Sequence, residues 1–192
     1  MRTYHPNALD RAHPLFGVGG WMLFFLVGQA ITVLLVALTI PSVFEPFAQP
    51  AWDDTSVIPL YHATIVMEML FSAARLAFPV AGIILTVTRD RRAPRFWLAY
   101  LGLVVVGSLL DTGAGIAIHN WMQAELPASA EAVKSMTRAI VENLRTVMWA
   151  LVWSLYWINS ERVWITFGRG GWSPPSDTPW LPPGAVVVPA EA

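Results

Sequence analysis

The chain is 192 residues long, 55% hydrophobic and only 13% charged, with a mean hydropathy of +0.52 and a formal net charge of −1. Soluble domains carry about a quarter charged residues, so this composition excludes an ordinary soluble globular protein. The absence of cysteine excludes disulfides, thiolate metal sites, thiol nucleophiles and c-type haem attachment.

Residues 1–15 hold Arg2 and Arg11 and form a short charged lead-in to the first apolar run, 20–40. That run is too long for a signal-peptide core of about 7–15 residues, so it reads as a retained span. The connection 41–62 has no Lys or Arg but carries Glu45, Asp53 and Asp54. Pro41, Pro46, Pro50 and Pro59 predict an extended or turning path there. The second run, 63–88, contains Glu68, Arg75 and Pro79, with a kink expected at Pro79 near Gly82.

Arg89, Arg91, Arg92 and Arg95 then crowd the short connection to the third run, 96–118, which carries Asp111. Glycines at 102, 107, 113 and 115 would let another backbone approach that run closely. The connection 119–138 mixes Lys134 and Arg138 with Glu125 and Glu131. Within it, apolar residues from Val133 to Leu144 recur at helical spacing. The fourth helix should therefore begin near 130, with Ser129 as N-cap, ahead of the fourth run, 139–158. Arg138–Glu142, Glu131–Lys134 and Glu142–Arg145 are spaced to pair along it. Residues 169–192 hold six prolines from Pro174 to Pro189 and predict a Pro-rich disordered tail.

Each run is about long enough to cross a ~30 Å hydrocarbon core. Arginine placement puts both termini and the 89–95 connection in the cytoplasm and the two longer connections outside. The fold class expected is all-α, a four-helix transmembrane bundle. Trp21, Trp97, Trp121 and Trp157 sit near span ends and read as interfacial anchors. The four arginines at 89–95 also suit anionic lipid headgroups or a partner. His62 and His119 lie at outer span ends, poorly placed for a metal or haem, and no cofactor or nucleic-acid partner is expected.

Counting at 1.5 Å per residue places Arg75, Asp111 and Arg145 each about 20 Å above the cytoplasmic ends of their helices. A lone charge near mid-membrane costs at least ~2.5–3.5 kcal/mol, so these three should share one polar layer. Glu68 and Glu142 lie nearer its edge, and Asn143 and Gln29 add uncharged hydrogen-bonding groups. Two readings follow. One is an ion-paired seam that fixes helix register; the other is an anion site or ion path clamped by Arg75 and Arg145.

Two segments point to a family. GVGGWMLFF, Gly17 to Phe25, opens the first span, and YWINSERVWITF, Tyr156 to Phe167, closes the fourth. With four spans, this pair resembles the bacterial inner-membrane family catalogued as domain of unknown function 2569, over about residues 16–168. The resemblance implies fold and inner-membrane location but no reaction. Within the closing segment, Ser160, Arg162, Trp164 and Phe167 read as an interfacial anchor or a partner-docking motif, with Arg162 able to reach lipid phosphates. No catalytic motif is present. The function expected is that of a non-enzymatic accessory or assembly component of a membrane complex, with a protein partner or a second copy. The alternative is a small oligomeric transporter or channel for an anionic solute. An intramembrane enzyme using Asp111 or Glu68 as base ranks third.

Overall fold

The structure is a computed structural model and describes residues 15–47, 51–54, 58, 60–125 and 130–167. All regular structure among them is helical. Four long helices, α1 (Trp21–Phe44), α2 (Tyr61–Val87), α3 (Ala93–Glu125) and α4 (Ala130–Asn159), are followed by a short α5 (Glu161–Phe167). Such apolar runs satisfy their backbone donors and acceptors within the helix, which lipid requires. The expectations for residues before 15 and after 167 and the Ser129 cap lie outside the described residues, as does the Glu131 side chain on which the Glu131–Lys134 pair depends.

Three helices are long and apolar enough to cross a membrane: Trp21–Ser42, Tyr61–Val87 and Ala93–Ala124. The fourth expected span, α4, is not among them, because its first half carries Lys134, Arg138, Glu142 and Arg145. It nevertheless packs along α3 in the most extensive helix–helix contact of the chain.

Helix α1 departs from the expected extended path after residue 40. It continues through Pro41 to Phe44 and passes into a 3-10 turn, Glu45–Phe47. Proline removes one amide donor, and so near the helix end that loss is small. Hydroxyls take up nearby carbonyls: Thr39 Oγ1 donates to Val36 O at 2.9 Å and Ser42 Oγ to Thr39 O at 2.7 Å. A further helical turn, Ala51–Asp54, places Trp52 between Phe47 and His62 in an aromatic stack. The His62 ring lies 3.7 Å from that of Trp52, and its Nε2–H donates to the Trp52 carbonyl at 2.9 Å.

The α2–α3 turn has a defined capping geometry. Arg89 adopts φ 56°, Asp90 N–H donates to Leu85 O at 2.9 Å, and Arg89 N–H donates to Thr86 O at 3.1 Å. These are the paired bonds of a Schellman cap with Arg89 in the left-handed position usually held by glycine. The Arg89 guanidinium sits 4.8 Å above the Phe16 ring, an attraction that offsets part of the backbone cost. Asp90 is buried and its Oδ1 accepts from Arg92 N–H at 2.9 Å, closing the turn into α3.

The tightly packed core gathers at this end of the bundle. It joins Met22, Phe25 and Leu26 of α1, Ala93, Trp97, Tyr100 and Leu101 of α3, Ala150 and Trp157 of α4, and Val163 and Phe167 of α5. Trp97 and Trp157 are both 0% exposed, which corrects their reading as interfacial anchors; Trp21, at 68%, keeps that role open. Trp97 Nε1–H donates to Thr86 Oγ1 at 2.8 Å, and Gly82 gives the indole room, since a Cβ there would lie 2.6 Å from the ring. Farther along, the Phe71 ring tip occupies the place a Cβ on Gly107 would take, whereas Gly102 and Gly113 meet nothing within 4 Å.

Candidate functional site

Beyond the aromatic core, the helices part around two neighbouring cavities that share one lining residue, Arg75 of α2. Helical spacing sets the first: Glu68, Phe71 and Arg75 recur on one face of α2, and Gly107, Ser108 and Asp111 on one face of α3. With Asn143 of α4 they enclose about 340 Å³. Asn143 Nδ2 donates to Asp111 Oδ2 at 2.8 Å and to Thr112 Oγ1 at 3.0 Å, so both of its amide hydrogens are used. Thr112 Oγ1 donates in turn to Ser108 O at 2.7 Å. Glu68 and Asp111 line the same cavity from α2 and α3.

The second cavity, about 380 Å³, lies between α1 and α4, with α3 as its floor. Arg75 and Arg145 both line it, together with Gln29 and Tyr100, and no Asp or Glu does. Gln29 Oε1 is buried without a hydrogen-bond donor.

This differs from the ion-paired layer that depth counting suggests. Asp111 accepts a hydrogen bond from an amide rather than pairing with a guanidinium. Among the described residues, neither Arg75 nor Arg145 comes within 4.0 Å of a carboxylate, and Glu142 pairs with neither Arg138 nor Arg145. Arg75, Arg145, Glu68 and Glu142 are all exposed in the single chain, whereas Asp111 and Asn143 are half-buried. Equal depth brought the residues to one level, but rotation about each helix axis split them between two cavities. Thr112 and Tyr100 were missed; each lies within one helical turn of a cavity-lining residue, a spacing that could have flagged them.

Arg89, Arg91, Arg92 and Arg95 are exposed around the α2–α3 turn, and Arg89 is also engaged with Phe16. The closing segment is placed differently from a membrane-surface anchor. Phe167 is fully buried, its ring 6.1 Å from that of Trp157, and Val163, Ile165 and Thr166 are buried with it. Ser160 and Trp164 are half-buried, and Trp164 N–H donates to Ser160 O at 3.2 Å where α4 gives way to α5. Gly17 N–H donates to Thr166 Oγ1 at 3.1 Å, and Arg162 Nη1 donates to Gly17 O at 3.5 Å. Gly17 and Gly20 adopt positive φ, and a Cβ on Gly19 would come within 3.2 Å of Arg162. The Arg162 guanidinium therefore lies against the opening glycine segment. The two segments that carried the family resemblance form one structural clamp.

No group of three or more His, Asp or Glu among the described residues could hold a metal ion. His119 accepts from Gln123 Nε2 at 2.8 Å within α3. No curated protein and no solved structure matches the chain. A family model described as a protein of unknown function, DUF2569, matches residues 15–168, a stretch that spans both clamp segments and all four long helices. The chain belongs to the DUF2569 family.

Proposed function

We propose that this chain is a non-enzymatic, four-span protein of the bacterial inner membrane that serves as an accessory or assembly component of a larger complex. Its antiparallel packing along α3 and its apolar second half support α4 as the fourth crossing. The contacts of Gly17 with Thr166 and of Arg89 with Phe16 support both ends of the domain lying beside the arginine turn. Positive-inside sorting then favours the cytoplasm for that end.

One observation carries the accessory reading. Arg75 and Arg145 are exposed and lack ion-pair partners among the described residues, and Arg75 lies within a helix apolar enough to cross a membrane. Uncompensated guanidinium groups at that depth cost several kcal/mol, so the layer calls for completion from outside the chain. Gentle extraction of the full-length protein from its own membrane, followed by native mass measurement, tests this. A defined complex or oligomer that Arg145→Ala weakens is expected. A lone monomer under all mild conditions would count against the reading.

The transport alternative draws support from Arg75 lining both cavities. Anion flux into proteoliposomes that Arg75→Ala leaves unchanged would remove it.

A further inference from the structure

We infer that the cavity between α1 and α4 is a binding site for one anionic phospholipid with a hydroxylated headgroup. The inference rests on the membrane-spanning reading and draws on the same two arginines as the accessory role, but it is tested by lipid retention rather than by co-purification. Arg75 and Arg145 supply two positive charges to a space of about 380 Å³ whose lining contains no carboxylate. Guanidinium groups match phosphate oxygens as bidentate donors, and two of them around one space are a phosphate-binding arrangement. The cavity opens sideways, because Phe24 and Trp149, on either lip, are 60% and 53% exposed. An acyl chain leaving the phosphate can follow these lips and Val104 into the surrounding hydrocarbon.

Gln29 provides a second, separate pointer. Gln29 lines the cavity, and its Oε1 is buried and accepts no hydrogen bond. A buried acceptor without a donor costs about 1–3 kcal/mol, which a hydroxyl donor on the ligand would recover. Phosphate for the arginines, a hydroxyl for Gln29 and a chain for the apolar lips together describe a glycerol-phosphate lipid headgroup. Gly28 also lines the cavity, and nothing lies within 4 Å of where its Cβ would be.

Full-length protein in mixed nanodiscs, released for native mass measurement, gives the test. The probes are phosphatidylglycerol and phosphatidylcholine with matched chains, and soluble glycerol phosphate as competitor. The expected result is one retained phosphatidylglycerol per chain in preference to phosphatidylcholine. Arg145→Gln should weaken it by about tenfold or more. Gly28→Leu, which adds a bulky side chain at the cavity lining and leaves both arginines in place, should weaken it comparably while helical content and thermal unfolding stay unchanged. Paired substitution of Arg91 and Arg92 by Ala should leave this retained lipid in place. Retention unaffected by Gly28→Leu would overturn the assignment, as would loss on substituting only the surface arginines. Displacement by glycerol phosphate at lipid-like concentrations would overturn it in favour of a soluble anion. Failure here would leave the co-purification result untouched, so the two readings are separable.

Discussion

At the scale of single residues, the buried hydrogen bond from Trp97 Nε1 to Thr86 Oγ1 shows how α2 and α3 are fixed against each other. Thr86 Oγ1 donates onward to Gly82 O at 2.7 Å, so one hydroxyl serves both an indole donor and a helix carbonyl. Thr86→Val keeps the shape and strands a buried N–H, at a cost of about 1–3 kcal/mol. Reversible unfolding in bicelles checks this: the loss should vanish when Trp97 is replaced by Phe in the same background. A Thr86→Val penalty that persists in Trp97→Phe would show that the bond is not its source. This contact was not legible in the sequence. A tryptophan at a span end carries the same local signal whether it faces headgroups or a protein cap, and only the fold-back of α5 decides between them. Glycine spacing was equally ambiguous: it flagged Gly102 and Gly107 alike, yet only Gly107 meets a neighbouring ring, because one residue faces α2 and the other does not.

At the scale of elements, α5 and the glycine segment behave as a single lid on the aromatic core. Residues 149 positions apart are joined by the Gly17–Thr166 bond, and Thr166 is fully buried. Removing that hydroxyl with Thr166→Val should free the opening segment before it affects the long helices. Hydrogen exchange at residues 17–20 should accelerate about tenfold or more, as expected for loss of a buried bond, with little change in α2 or α3. Unchanged exchange at Gly17 would contradict the clamp. Helix starts were largely legible: α1 begins at Trp21 and α2 at Tyr61, within two residues of the starts of the first two apolar runs. The path after residue 40 was not. Proline composition alone cannot say whether Pro41 stands before a helix end or inside its last turn, where the missing donor matters little.

At the scale of the whole molecule, a tight aromatic end grades into an open polar region where Arg75 joins two cavities. The absence of cysteine makes the proposed topology directly measurable. Single substitutions Arg91→Cys and Asp53→Cys should react with an impermeant thiol reagent from opposite faces of the membrane, Arg91→Cys from the cytoplasmic face. Labelling of both from one face would contradict an odd number of crossings between them. The residues of the polar layer were legible from charge and depth, and Asn143 from its hydrogen-bonding capacity. Their pairing was not, because a shift of one residue turns a side chain by about 100° around its helix. That rotation placed Asn143 rather than an arginine on Asp111, left Arg145 on a cavity with no carboxylate, and set Arg75 between that cavity and the one lined by Glu68 and Asp111. The central claim is therefore a divided layer, and double-mutant cycles on Asp111 test it most directly. Measured by unfolding in bicelles, Asp111 with Asn143 should couple by roughly 0.6–1.7 kcal/mol, the range known for hydrogen bonds between membrane helices, and Asp111 with Arg75 by less. A larger coupling between Asp111 and Arg75 would contradict the divided layer and restore an ion-paired seam.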